Sequence, residues 1–136
     1  MSLPKTVLIV EDDAGLRRLY SGALRLAGFD VLESGDGLSA LQLLETHRPD
    51  CIVLDLMLPR LSGYAVSQEI EMSAEMRDIP IVVVTGSVAD TTKLAADCVL
   101  RKPASPEELI AVVERCMQRL AARADAPNPS GNRENR

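Results

Sequence analysis

Aromatic residues are scarce in this sequence, which has one Phe, two Tyr and no Trp among its 136 residues. A packed core must therefore be built from aliphatic side chains, and apolar residues, at 46% of the chain, are numerous enough for one. No apolar run approaches the ~20 residues that span a bilayer, and the first residues lack the apolar stretch of a secretory signal. These absences predict a single soluble, cytoplasmic domain.

Sulfur and imidazole ligands are also few. The one histidine, His47, follows the second predicted helix and is interpreted as a surface residue. Cys51, Cys98 and Cys116 lie among apolar neighbours without CxxC spacing, which indicates reduced core thiols rather than a disulfide or a metal site. A formal net charge of −5 argues against direct binding of nucleic acid, whose phosphates an acidic domain repels. The acidity itself fits either a cation site or simple solubility.

Short apolar runs alternate with helical patterns along the chain. Buried strands are predicted at 7–10, 29–32, 51–54, 79–84 and 98–100. Apolar residues recur at helical spacing over 13–27, 38–46 and 64–72, and a capping box at 105–108 begins a long final helix. This alternation predicts an α/β fold with a doubly wound, five-stranded parallel sheet in the order 2-1-3-4-5.

Sequence spacing also predicts which helical residues enter the core. The first helix, capped by Asp13 and ended by Gly28, is expected to bury a stripe formed by Leu16, Leu19, Tyr20, Ala23 and Leu24. In the final helix the expected core stripe consists of Leu109, Val112, Val113, Cys116 and Leu120.

Two segments depart from the regular pattern. Between the fourth and fifth strands only about residues 90–96 have helical character, and Thr91 and Thr92 lower it. We therefore expect a shortened or irregular fourth helix. Residues 124–136 are mostly small, polar or charged, so we expect a domain at 1–123 followed by a disordered tail or linker stub.

Polar residues follow or end four of the predicted strands. They are Glu11 and Asp12 after the first strand, Asp55 after the third, Thr85 at the end of the fourth and Lys102 after the fifth. Because parallel strands end at one edge of the sheet, these side chains should converge near the switch in strand order. Clustered carboxylates favour a bound cation, and oxygen ligands favour Mg²⁺. A carboxylate beside Mg²⁺ can attack phosphorus, with Thr85 and Lys102 as donors to phosphoryl oxygens.

Four motifs, in this order, resemble the receiver domain of two-component response regulators. They are LIVEDD at 8–13, IVLDLMLP at 52–59 with Gly63, VVTG at 83–86 and RKP at 101–103, within a resemblance that covers roughly residues 5–120. The resemblance implies a flavodoxin-like fold and a protein that signals by changing conformation after phosphorylation. Its implied partners are a histidine kinase or histidine phosphotransfer protein, an output domain or downstream protein, and a second copy of the chain. From the net charge and the lack of a long apolar run, we expect no direct binding of nucleic acid by this chain and no membrane association.

The same resemblance implies roles for individual residues. Asp55 would be the phosphoacceptor, Thr85 the switch hydroxyl and Lys102 the lysine of the family, joined to Pro103 by a cis peptide bond. The implied Mg²⁺ ligands are Glu11, Asp12, Asp55 and the backbone carbonyl of Met57.

The sequence departs from the family pattern at the residue that usually responds to the switch hydroxyl. The third residue before the lysine, usually Tyr or Phe, is Val99, so the usual coupling of Thr85 to an aromatic side chain cannot operate. This leaves a pseudo-receiver, a protein-interaction module without phosphorylation, as an alternative function. A phosphatase with an aspartyl nucleophile is a further alternative. Such enzymes typically carry a second acid two residues after the nucleophile, where this chain has Met57, so we do not expect an enzyme.

Overall fold

The structure, a computed structural model, describes residues 3–86, 91, 94 and 96–125, with side chains up to Arg119. The strands are β1 (Thr6–Val10), β2 (Asp30–Ser34), β3 (Cys51–Leu54), β4 (Ile81–Thr85) and β5 (Cys98–Arg101). The helices in these ranges are α1 (Ala14–Leu26), α2 (Gly37–Leu44), α3 (Gly63–Met72) and α4 (Pro106–Asp125).

The strands form one parallel sheet in the order β2-β1-β3-β4-β5, which confirms the predicted α/β fold and its topology. The bounds of β3 are those predicted, and those of the other strands differ from the prediction by one or two residues. The second strand runs on to Ser34, because its ladder with β1 continues to the pair formed by Val10 and Ser34. The fourth strand begins at Ile81, after Pro80, whose nitrogen has no hydrogen to donate to a ladder.

Alternation of side chains along the strands divides the core between the two faces of the sheet. Val7 and Ile9 of β1 pack with residues of α1 and α4 on one face. Leu8 and Val10 of the same strand pack with residues of α2 and α3 on the other face. Because both faces are covered, β1, β3 and β4 are almost wholly buried, as their continuous apolar runs predict.

The predicted helix signals at α1 and α4 are confirmed. Asp13 caps α1 by accepting a hydrogen bond from the backbone N of Leu16 at 3.0 Å. Gly28 follows that helix with a φ of 102°, a conformation that glycine adopts without the strain a Cβ would bring. Before α4, Ser105 and Glu108 form the reciprocal capping box, with bonds of 2.9 and 3.1 Å.

The predicted helical core stripes are mostly right. Tyr20 and Leu24 are buried in α1, but Leu19 is 54% exposed, so its assignment to the core is wrong. Leu19 lies at the margin of the apolar stripe, where the surface of the helix begins to face solvent. In α4 the buried residues are Leu109, Val112, Val113 and Cys116, as predicted, whereas the Leu120 side chain lies outside the described residues.

Several further expectations concern the chain's less regular parts. Of the segment 90–96, where a short or irregular fourth helix was expected, residues 90, 92, 93 and 95 lie outside the described residues. Helix α4 extends to Asp125, two residues into the predicted tail, and 126–136 also lie outside. No helix in the described ranges is both long and apolar enough to cross a membrane.

The three cysteines are free thiols that share one face of the sheet. Cys51 and Cys116 are buried, and Cys98 is partly exposed. Burial, together with a hydrogen bond to Cys98, raises the pKa of Cys116 to about 12. At neutral pH this thiol is therefore protonated, which fits a core residue.

Candidate functional site

The acidic residues predicted from the strand ends meet at the carboxyl edge of the sheet. Glu11 extends the pairing of β1 with β2, its backbone N donating to Ser34 O at 3.0 Å. Asp55 extends the pairing of β1 with β3, its N donating to Val10 O at 3.1 Å. The fold thus places the two residues just beyond the ends of the neighbouring strands β1 and β3, at the predicted switch in strand order.

A compact carboxylate cluster results from this placement. Glu11, Asp12 and Asp55 each present an oxygen within 4.8 Å of the others. Glu11 and Asp55 are buried, at 3% and 6% exposure, whereas Asp12 lies on the open, solvent-facing side. The donor set is all oxygen, with one side accessible, and such a set fits a hard cation such as Mg²⁺.

Lys102 follows the edge strand β5, and its side chain reaches this cluster. Its Nζ lies 2.7 Å from Glu11 Oε1 and 3.2 Å from Asp55 Oδ2. The lysine backbone is anchored by a hydrogen bond from its N to Thr85 O at 2.9 Å. The Lys102–Pro103 peptide bond is cis, as the sequence resemblance implied.

For Glu11 and for Lys102, burial shifts the pKa in one direction and the contact between the two residues shifts it in the other. Burial raises the pKa of Glu11 above its usual value, although the hydrogen bond from Lys102 partly offsets that rise. Burial alone would lower the pKa of Lys102, but its hydrogen bond to Glu11 and the charge of Asp55 raise it on balance. The lysine is therefore a fixed positive charge at neutral pH.

The loop after Asp55 is closely fitted to the site. Met57 N donates to Asp55 Oδ1 at 3.2 Å, while the Met57 side chain is 65% exposed. A Cβ on Gly63 would lie 2.1 Å from the carbonyl oxygen of Asp55, so only glycine fits there. The predicted role of the Met57 carbonyl as a metal ligand stays a prediction.

The remaining residues singled out from the sequence lie as follows. Thr85 is fully buried at the end of β4, next to the strand that leads to Lys102. Val99, at the position of the usual aromatic residue, is 40% exposed on β5. His47 is exposed beyond the end of α2, as predicted, and is remote in the fold from the carboxylate cluster.

Two arginine contacts at the site were not predicted from the sequence. Arg17 donates from Nη1 to the backbone O of Glu11 at 2.6 Å, and its Nε lies 3.4 Å from Glu33 Oε1. Arg17 therefore ties α1 and β2 to the loop that presents the acidic pair. In the sequence, Arg17 lies one turn after the helix cap Asp13, which brings it near the acidic loop. Spacing alone does not show that its side chain points back to the Glu11 carbonyl.

Comparison with known proteins decides the family. The model of the response regulator receiver domain family matches residues 7–114. The chain belongs to this family. This receiver domain presents its acidic cluster at the carboxyl edge of its sheet.

Its curated relatives include regulators of transcription. The receiver domain is 40% identical over 118 residues to the probable transcriptional regulator ycf27 of Guillardia theta, covering 83% of this chain and 45% of that protein. It is 34% identical over 120 residues to the phosphate regulon transcriptional regulatory protein PhoB of Pseudomonas aeruginosa, covering 85% of this chain and 52% of that protein. The chain thus spans about half the length of the curated relatives it matches.

Solved structures agree with this assignment. The receiver domain of the sensor histidine kinase PA1611 from P. aeruginosa PAO1 has a TM-score of 0.77 to this chain at 28% identity. The match covers 85% of this chain and 98% of that one, and that structure has a magnesium ion coordinated in its active-site cleft. The chemotaxis response regulator CheY4 of Vibrio cholerae also has a TM-score of 0.77 at 28% identity, over 83% of this chain and 98% of that one.

Proposed function

We propose that this receiver domain accepts a phosphoryl group on Asp55 from a histidine kinase or a histidine phosphotransfer protein. The observation that carries the proposal is the cluster of Glu11, Asp12 and Asp55 oxygens within 4.8 Å, with Lys102 bonded to two of them. An Oδ atom of Asp55 forms the new bond to phosphorus. The bond from phosphorus to the donor's imidazole nitrogen breaks, and the imidazole keeps that electron pair.

Glu11, Asp12 and Asp55, with the Met57 carbonyl, are the residues proposed to hold Mg²⁺. When bound, the ion would supply positive charge that screens the approach of the anionic phosphoryl group to the anionic acceptor. Lys102 and Thr85 are proposed to bind oxygens of the phosphoryl group. Lys102 keeps a positive charge 3.2 Å from Asp55 and can donate to a phosphoryl oxygen, and the buried hydroxyl of Thr85 is the proposed second donor.

Phosphorylation would then act as a switch rather than as a step of turnover. A phosphoryl group adds charge and strong hydrogen-bond acceptors, which favour a different arrangement of the residues around it. Met57 provides no carboxyl group for hydrolysis of phosphate esters, so we infer that the domain is not an enzyme. Since the relatives are named as transcriptional regulators, we infer an output on transcription, through an output domain, a downstream protein or a dimer of this chain.

A pseudo-receiver is the second candidate, and one observation favours it. Val99 is aliphatic and 40% exposed, so it cannot act as the inward-turning aromatic of the usual readout. The two candidates differ in whether Asp55 binds a phosphoryl mimic. We expect beryllofluoride with Mg²⁺ to shift the amide resonances around Asp55, Thr85 and Lys102 in the intact chain and to have no effect on Asp55→Ala. Absence of a response in the intact chain, or an equal response in Asp55→Ala, would favour the pseudo-receiver.

A further inference from the structure

The loop that follows Lys102 is fastened to α1 by one buried hydroxyl group. Tyr20 Oη donates a hydrogen bond to the carbonyl oxygen of Ala104 at 2.9 Å, across 84 positions of sequence. Tyr20 is 2% exposed and packs in the core beneath α1 and α4. Because Pro103 alone separates Ala104 from Lys102, this bond fixes the backbone from which the lysine side chain extends.

The loop has two further anchors, one on either side of Ala104. Before it, the Lys102 N donates to Thr85 O at 2.9 Å and holds the end of β5 on the sheet. After it, the Ser105–Glu108 capping box fixes the start of α4. The middle anchor, the bond from Tyr20 to Ala104, differs from these because its donor is a side chain of α1. Loss of the Tyr20 hydroxyl would leave both ends in place and free only the central carbonyl.

The Tyr20 hydroxyl is suited to act as a permanent donor. Burial raises the pKa of this phenol, so the group keeps its proton throughout the neutral range. Because Tyr20 is buried and Ala104 is only partly exposed, water competes for this bond less than it would at the surface.

We propose that Tyr20 is a positioning residue for Lys102. By holding Ala104, its hydroxyl keeps the lysine Nζ between Glu11 and Asp55. This assignment rests on the proposed function, in which the same ammonium group meets a phosphoryl oxygen. The bond between Tyr20 and Ala104 also links the site to α1 by a route that does not involve Val99.

The first test uses Tyr20→Phe, which removes one oxygen and keeps the ring in the core. Tyr64→Phe is the matched control, because Tyr64 is the other tyrosine of the chain and packs on the opposite face of the sheet. The measurement is the ¹⁵N resonance of the Lys102 ammonium group in the protein without Mg²⁺ or phosphoryl donor. We expect it to be sharp in the wild type and in Tyr64→Phe and shifted or broadened in Tyr20→Phe. An unchanged Lys102 resonance in folded Tyr20→Phe overturns the assignment.

The second test measures phosphorylation by a small acyl phosphate. At saturating Mg²⁺, Tyr20→Phe should lower the rate constant about 10-fold, as expected for a displaced catalytic group. In a Lys102→Ala background the same change should have no further effect, because Tyr20 acts through Lys102. Equal losses in both backgrounds overturn the assignment. If the wild type itself is not phosphorylated, the proposed function is wrong, and the ammonium resonance still decides the role of Tyr20.

Discussion

Lys102 Nζ lies 2.7 Å from Glu11 Oε1, so the lysine proposed to meet the phosphoryl group is paired with a proposed metal ligand. The Glu11 side chain is 5% exposed and that of Lys102 is 22% exposed. The ammonium group is therefore an internal counterion that lets buried carboxylates coexist before a metal binds. A Mg²⁺ ion held as proposed would neutralise the same carboxylates as Lys102, so the stability that the ion adds should depend on whether the lysine is present.

Lys102→Met tests this relationship through stability. The substitution keeps the length of the side chain and removes its charge, which leaves the Glu11 and Asp55 carboxylates without their partner. In chelator we expect the free energy of unfolding to fall by about 1–3 kcal/mol. Added Mg²⁺ should restore more stability to the variant than it adds to the wild type. Urea denaturation with and without Mg²⁺ measures both effects. Lys5→Met, at an exposed lysine, is the control, and an equal response of the two variants to Mg²⁺ would contradict the relationship.

Arg17→Met tests the support of the acidic loop. Arg17 donates to the Glu11 carbonyl, and partners of this kind commonly change metal affinity when they are removed. We expect Mg²⁺ affinity to fall about 10-fold in calorimetric titrations. Arg25→Met is a close control, because Arg25 also pairs with Glu33, at 3.2 Å, but places its backbone contact on Val31 O rather than on Glu11. A similar loss of affinity in both variants would show that the pairing with Glu33, rather than the carbonyl contact, matters.

Gly37→Ala tests the fit between α2 and the loop after Asp55. A Cβ at Gly37 would lie 2.0 Å from the carbonyl oxygen of Leu61, so that the loop or the helix must shift. We expect the free energy of unfolding to fall by about 1–3 kcal/mol. Gly22→Ala, inside α1, where the new Cβ would have no atom within 4 Å beyond its chain neighbours and the helix's own backbone, should instead raise it by about 0.5–1 kcal/mol. Urea unfolding of both variants measures the contrast, and a loss of stability at Gly22 equal to that at Gly37 would contradict it.

Met57 bears on the lifetime of the phosphorylated state. Its side chain is 65% exposed beside Asp55, yet it has no polar group that could orient a water molecule toward phosphorus. We expect the aspartyl phosphate of the wild type to outlast that of Met57→Asn in Mg²⁺ buffer without a phosphatase. Decay of the phosphorylated protein, followed by intact mass over time, gives both lifetimes. Rapid decay in the wild type would count against this role of Met57.

The sequence predicted the sheet and most of the site because their signals are local. A buried parallel strand is a short apolar run, and its end is marked by the polar residue that follows it, as at Asp55. Once the strand order is known, the edge of the sheet brings those residues together. The same argument placed Lys102 with Glu11, although 91 positions separate them.

Contacts that depend on side-chain direction were not predicted. Tyr20 was assigned to the core from helical spacing, but its bond to Ala104 depends on how α1 and α4 pack. Leu19 was assigned to the same stripe and is exposed, because the position where a helix leaves the core depends on its neighbours. Arg17 turns back onto the Glu11 carbonyl, a choice of rotamer that sequence spacing does not specify.

Phosphorylation of Asp55 is the most direct test of the proposed function. The intact chain would be incubated with a phosphorylated histidine kinase domain or a small acyl phosphate, with Mg²⁺, and followed by intact mass and peptide mapping. We predict one phosphoryl group, on the peptide that contains Asp55, and none in Asp55→Asn or in the presence of chelator. An intact chain that stays unmodified, or an Asp55→Asn variant modified to the same extent, would contradict the account.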